Sequence, residues 1–119
     1  MPNLSATLSP SNPESMLAIA PGTRLSVVAV TVRERSNPQG QAFTVAVSIV
    51  TGTGAREELG SAAPFPLGQP LTVSFGVSPG TSSAAAELGA TLIVRLLAVS
   101  SDRTLVEPLS VEVTAVHSG

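Results

Sequence analysis

The sequence has no cysteine, tryptophan, tyrosine or lysine, and it contains one histidine among 119 residues. The lack of cysteine excludes disulfides, thiolate chemistry and cysteine-ligated metals. A zinc or copper site built by this chain alone is nearly excluded as well, because such sites need several His or Cys ligands. The one histidine, His117, is interpreted as a solvated residue of the C-terminal tail. We therefore expect no metal and no cofactor.

Aromatic side chains and clustered charge are also scarce. Aromatics make up 3% of the chain, which argues against binding sugars or single-stranded nucleic acid by stacking. The net charge is −2 and the six basic residues, all arginine, are scattered, so nucleic acid is not an expected partner. The longest apolar runs have four to five residues, far below the ~18 that a membrane-spanning helix needs. The N-terminus lacks a secretory signal pattern, so a cytoplasmic or virion location is expected if the chain is full length.

What the sequence does have is a series of short segments with the period-two alternation of half-buried strands. Strands are predicted over residues 16–20, 25–33, 42–50, 71–78, 91–99 and 109–116, with at most an edge strand within 51–70. One short helix is predicted over 82–89, capped by Ser83 and ended by Gly89. About seven short strands in a chain of this length predict an all-β, two-sheet antiparallel β-sandwich, either Ig-like or jelly-roll-like.

The first 15 residues differ in composition from the rest. They are rich in Ser, Pro and Asn, and their three prolines exclude a helix. Leu4, Ala6 and Leu8 alternate weakly, enough for an edge strand at most. We expect an extended N-terminal arm over 1–15 and a single β-sandwich domain over 16–117.

No catalytic set is recognisable, so the chain is not expected to be an enzyme. Its serines lie in no nucleophile-elbow motif, and its acids lack the alternating spacing of a calcium loop. Some acids share connections and define a possible loop site for a small ligand: Glu57, Glu58, Asp102 and Glu107. The alternative interpretation is that these are ordinary solvated loop charges.

The feature that rises above background is the chemistry of the strand faces. The outward positions of the alternating strands carry small hydroxyl side chains and few charges, whereas soluble monomers usually protect exposed sheets with Lys or Glu. Either these hydroxyl positions or the second, apolar face of 25–33 and 91–99 is predicted to pack against another protein. The possible interface residues are Thr44, Ser48, Thr72, Ser74, Ser110, Thr114, Ile93 and Leu97.

From Phe43 onward the order of motifs resembles the C-terminal β-sandwich domain of tyrosinase-like type-3 copper proteins. The matching pieces are Phe43-x-Val45-x-Val47, residues 58–61 leading to Phe65-Pro66, residues 72–75, an Ala-rich helix closing at 88–89, and residues 92–96 and 109–116. The resemblance implies a module that shields or regulates a partner's copper site. The family's copper-binding histidines lie on helices of its central domain, which this chain lacks.

The sequence therefore favours a non-catalytic β-sandwich that acts through protein–protein association, in a homo-oligomer or a larger assembly. A shielding domain of a tyrosinase-like copper protein and a small-ligand or glycan-binding module are the alternatives.

Overall fold

Alternating apolar and hydroxyl side chains form eight strands, and an Ala-rich segment forms the helix of the computed structural model, which describes residues 3–22, 25–64, 68–99 and 103–118. In chain order the elements are β1 (Asn3–Leu8), β2 (Glu14–Ile19), β3 (Val27–Ser36), β4 (Phe43–Thr51), β5 (Arg56–Ala62), β6 (Leu71–Gly76), α1 (Pro79–Leu88), β7 (Ala90–Ala98) and β8 (Ser110–Ser118). Six of these strands overlap the predicted ones. The sequence reasoning missed β1 as a full strand and left β5 as an edge strand at most.

The strands form two four-stranded antiparallel sheets. The first sheet has the order β1-β8-β3-β6 and the second has the order β2-β7-β4-β5. Successive strands cross from one sheet to the other, except at the β4–β5 hairpin, so the order is that of a jelly roll. The predicted two-sheet antiparallel β-sandwich is confirmed, and the strand order decides between the two topologies that the sequence left open.

The core lies between the sheets and is made of the alternating apolar positions. Val30 and Val32 of β3 and Val45 and Val47 of β4 all belong to this core, and their side chains are fully buried. Phe43, at the start of β4, is the largest fully buried side chain. The inward Val111, Val113 and Ala115 of β8 complete the pattern that the sequence predicted for this strand.

The N-terminal segment belongs to the sandwich rather than preceding it. β1 pairs with β8 along its whole length, from Asn3 opposite Val116 to Leu8 opposite Val111. Leu8 is fully buried, and Leu4 and Ala6 pack against the core. The arm expected over residues 1–15 therefore supplies an edge strand and the beginning of β2, because its weak alternation still places three apolar side chains on one face.

β5, which lies at an edge of the second sheet, was expected as an edge strand at most because its sequence, REELGSA, has one large apolar residue. A register shift opposite Val47 and Ser48 interrupts its pairing with β4. Gly60, at this shift, has a φ of 146°, and a Cβ there would lie 2.7 Å from Cε1 of Phe75 in β6. A glycine at this position lets the edges of the two sheets approach closely.

The helix begins four residues before the Ser83 cap that the sequence predicted. Ser78 occupies the N-cap position and Pro79 the first turn, where a missing N–H costs nothing. Gly89 ends the helix with a φ of 80°, and its N–H donates to the Ala85 carbonyl at 2.8 Å. Ala85 is fully buried, which fixes α1 against the sandwich.

His117 is not the solvated tail residue that the sequence suggested. It lies in β8 opposite Val28 of β3, and 6% of its surface is exposed. Position 117 continues the inward parity of Val111, Val113 and Ala115, so pairing with β3 carries the ring inside. Across the described parts of the chain, no helix has the length and apolar character to cross a membrane.

Candidate interaction surfaces

The outer face of the first sheet carries a group of small, uncharged side chains, called here the hydroxyl face: Ser5, Thr7, Ala29, Thr31, Thr72, Ser74, Thr114 and Val116. The same side of the sheet also carries Val27, Arg33 and Glu112. One row crosses all four strands in register: Ser5, Thr114, Thr31 and Thr72. Within this row the hydroxyls of Thr31 and Thr72 are hydrogen-bonded at 2.8 Å. The neighbouring row contains Val116, Ala29 and Ser74. The side chains at the centre of this face are therefore small and uncharged.

Charge on this sheet lies towards one end of the strands. Arg33 is opposite Glu112, and Nη1 of Arg35 lies 4.0 Å from Oε2 of Glu112. Of the predicted interface residues, Thr72 and Ser74 are exposed on the hydroxyl face, Thr114 is half-buried there, and half-buried Ser110 follows the charged group. The structure thus brings these four predicted residues to one surface.

The other four predicted interface residues lie on the outer face of the second sheet, called here the mixed face. Thr44 is opposite Leu97, and Ser48 is opposite Ile93, because β4 and β7 are neighbours. Sequence reasoning assigned Thr44 and Ser48 to one surface and Ile93 and Leu97 to another. Ser48 is 3% exposed and Ile93 is 8% exposed, so these two predicted interface residues are not available for contact with a partner. Leu97, in contrast, is 38% exposed.

Ion pairs interrupt the mixed face. Nε of Arg95 lies 3.7 Å from Oε2 of Glu14, and Nε of Arg56 donates to Oε1 of Glu58 at 3.0 Å. Met16, 65% exposed, lies opposite Ile93 on the β2 edge. The mixed face therefore combines isolated exposed apolar side chains with paired charges close to its centre, whereas the paired charges of the first sheet lie towards one end.

The predicted acidic loop site is divided between opposite ends of the sandwich. Glu57 and Glu58 lie at the start of β5, at the end that carries the β4–β5 turn and α1, here called the helix end. Glu107 lies at the other end, the loop end, where Oε1 accepts hydrogen bonds from the backbone N–H and hydroxyl of Ser11 at 3.3 and 3.2 Å. Asp102 lies outside the described residues. The acids at the two ends do not form one site.

Glu57 supports the beginning of α1. Its Oε1 accepts a hydrogen bond from the hydroxyl of Ser78 at 2.8 Å. Hydrogen bonds from the side chains of Thr81 and Ser78, and from the Ser78 backbone, hold the pKa of Glu57 below its usual value. A carboxylate at this position also interacts favourably with the positive, N-terminal end of the helix dipole. This arrangement explains Glu57 as a structural residue.

Sequence reasoning missed two amide side chains at the loop end, each of which hydrogen-bonds to both the N–H and the carbonyl of another residue. These paired hydrogen bonds are called here amide clasps. Asn37 donates to the carbonyl of Gln41 and accepts from its N–H, both at 2.9 Å. The Gln41 side chain donates to the carbonyl of Val106 at 2.7 Å and accepts from its N–H at 2.9 Å. The turn around Pro38 was predictable, but a partner for Gln41 that lies 65 residues away was not. These clasps hold residues 37–41 against 103–109.

Two hollows also lie at the loop end. One, of about 250 Å³, is lined by Pro10, Pro13, Leu96, Leu97, Ala98 and residues 103–105. The other, of about 260 Å³, is lined by residues 39–42 and again by 103–105. A third, of about 200 Å³, lies at the helix end beside Gly52 and Leu88. Within the described ranges, no three His, Asp or Glu side chains are grouped closely enough to hold a metal ion.

No protein-family model and no curated protein sequence matches this chain. Among solved structures, AlgX of Pseudomonas aeruginosa is similar with a TM-score of 0.53 and 18% identity over 98% of this chain. The Yersinia pseudotuberculosis-derived mitogen has a TM-score of 0.46, with 13% identity over 98% of this chain and 85% of the mitogen. A chain of the infectious bursal disease virus Gx strain has a TM-score of 0.42, with 14% identity over 98% of this chain and 30% of the viral one.

These comparisons concern the fold and not the activity. This chain spans about a quarter (26%) of the AlgX chain, and the identity is low enough that the likeness shows the fold alone. The other two TM-scores are lower and add no argument.

Proposed function

We propose that this chain is a non-catalytic jelly-roll module that associates with another protein through its hydroxyl face. The observation that carries the proposal is the uncharged row Ser5, Thr114, Thr31 and Thr72, which crosses the whole first sheet. Exposed sheets of soluble monomers usually carry charged residues that oppose association. Here the charges lie towards one end of the strands.

Small uncharged side chains suit a buried interface because they cost less to remove from water than Lys or Glu. The methyl groups of Thr31, Thr72 and Thr114 supply apolar area, and Val116 and Ala29 add to it in the next row. The hydroxyls of Thr31 and Thr72 already bond to each other, so one of their hydrogen bonds is retained when water leaves. Small side chains on a sheet face also permit close packing against a second sheet.

The first test is self-association. Size-exclusion chromatography with light scattering at micromolar concentrations should show an oligomer, and the double variant Thr72→Lys/Ser74→Lys should dissociate it, because two exposed ammonium groups would be buried at the interface. Ser61→Lys is the matched control, since Ser61 is equally an exposed serine on a strand, but on the mixed face. A control variant that dissociates as readily as the double variant would contradict the assignment to the hydroxyl face.

If the wild-type chain remains monomeric at every concentration, the proposal holds only in the form in which the partner is a different protein. That form is tested by co-purification with the product of the adjacent gene or with the remainder of a longer parent chain. Retention by the wild type and by Ser61→Lys, but not by Thr72→Lys/Ser74→Lys, is the expected result. Equal retention of all three would refute the role of the hydroxyl face.

A second candidate, the shielding domain of a tyrosinase-like copper protein, is supported by the order of elements. The resembling motifs fall in sequence on β4, β5, β6, α1, β7 and β8. Phe65, in the motif's Pro-flanked segment, lies outside the described residues. A partner with helices that carry copper-binding histidines would support this candidate, and a neighbour without them would remove it.

A further inference from the structure

The two hollows at the loop end meet at one positively charged residue. Arg103 lines both of them, together with Thr104 and Leu105. One hollow is bordered largely by Pro and Leu residues and is the less polar of the two, and the other is bordered by Gln39 and Gln41. The segment 103–105 thus lies between a less polar hollow and a more polar one.

Hydrogen bonds hold the walls of these hollows before any ligand arrives. Gln41 clasps both backbone groups of Val106, directly after the shared segment. On the side of the Pro- and Leu-bordered hollow, the Leu96 N–H donates to the Pro13 carbonyl at 2.7 Å and fixes Pro13 beside β7. Binding of a ligand would cost little free energy for ordering these residues, because hydrogen bonds already hold them in place.

The charge of the hollows has one sign. Among the described residues, Arg103 is the one charged side chain in either lining. Glu107, the described acid nearest to it in sequence, is engaged by Ser11. A guanidinium group binds a carboxylate through two parallel hydrogen bonds, a geometry that a lysine ammonium does not offer.

We propose that Arg103 and the Pro- and Leu-bordered hollow bind a carboxylate attached to a short apolar group. The hollow of about 250 Å³ lies slightly below the range of roughly 300–1,000 Å³ found for drug-sized ligands, so the apolar group is small. Leu97, 38% exposed on β7, supplies apolar contact, and Arg103 supplies the charge. The same chemistry occurs in a free short-chain acid and in the C-terminus of a peptide that ends in an apolar residue.

The test is a titration of the ¹⁵N-labelled chain followed by ¹H–¹⁵N correlation spectra. Hexanoate should shift the amide signals of residues 103–106 and 96–98 with a millimolar dissociation constant, and hexanol, which has the same chain without the charge, should bind at least about tenfold more weakly. A dipeptide with an apolar last residue, compared as free acid and as amide, distinguishes the two sources, because tighter binding of its acid than of hexanoate assigns a peptide C-terminus.

Variants separate the charge from the apolar wall. Arg103→Gln should weaken hexanoate binding at least about tenfold and leave hexanol binding unchanged. Leu97→Thr should weaken hexanoate but not acetate. Arg56→Gln, which removes an exposed arginine at the helix end, is the control and should bind as the wild type does. Equal binding of hexanoate and hexanol, unchanged hexanoate affinity in Arg103→Gln, or the absence of shifts at tens of millimolar would each overturn the proposal.

Discussion

The outer faces of the two sheets follow the same alternation in sequence, yet they present different surfaces. The hydroxyl face carries an uncharged row across four strands, with its charges towards one end. The mixed face carries ion pairs beside exposed apolar residues, and its centre, at Ser48 and Ile93, is buried. Alternation alone therefore does not determine how exposed an outward side chain is. Its exposure also depends on the neighbouring residues on adjoining strands.

The core that both sheets share should be more sensitive than either face. Phe43→Ala removes the largest fully buried side chain, and we expect a loss of about 3–5 kcal/mol in the free energy of unfolding. Urea unfolding followed by circular dichroism measures this loss. A change below about 1 kcal/mol would mean that Phe43 does not hold the two sheets together.

The two faces should respond differently to the same charge. Ser48→Lys places an ammonium group at a position that is 3% exposed, whereas Thr72→Lys places it at an exposed one. We expect Ser48→Lys to cost about 1–3 kcal/mol and Thr72→Lys to stay within about 0.5 kcal/mol in the monomer. Urea unfolding of both variants is the measurement. Equal losses of unfolding free energy in the two variants would contradict the difference in exposure between the two faces.

The hydroxyl row should contribute modestly to the first sheet. A double-mutant cycle with Thr31→Val and Thr72→Val keeps the β-branched shapes and removes the hydrogen bond of 2.8 Å. The expected coupling free energy is about 0.2–1 kcal/mol. A coupling of zero would indicate that these hydroxyls bond to water instead, which would favour their availability to a partner.

The smallest expected effect lies at the helix end and depends on pH. Because the pKa of Glu57 is lowered in the folded state, its stabilisation is present above the ordinary value of 4.5 and is lost as the pH falls through the folded value. Glu57→Gln should therefore cost a few tenths of a kcal/mol at pH 7, and this cost should shrink as the pH falls below 4.5. Thermal unfolding between pH 3 and 7 measures this.

Glu58→Gln is the control for net charge, since the Glu58 carboxylate pairs with Arg56 rather than with the helix. A cost of Glu57→Gln that persists unchanged at pH 3 would show that the carboxylate acts through its shape and not through its charge.

Prediction from the sequence succeeded where a strand's own pattern was sufficient. The alternation in β4, β6 and β8 indicated their inward side chains correctly, because one face of each strand is apolar. It was incomplete for β5, whose pairing depends on the register shift opposite Val47 and Ser48, and wrong for His117, whose burial follows from pairing with β3. The acids of the predicted loop site were grouped by their positions in the chain, and the crossing connections place Glu57 and Glu58 at one end and Glu107 at the other.

The sequence by itself determined the all-β class, the sandwich and most of the core, because period-two alternation fixes which side chains must leave water. It also determined that cysteine chemistry is absent. Only the tertiary structure decided the jelly-roll order, the union of Thr44 and Ser48 with Leu97 and Ile93 on one face, and the meeting of two hollows at Arg103. Those features depend on which strands become neighbours, and strand pairing joins residues that are far apart in the chain.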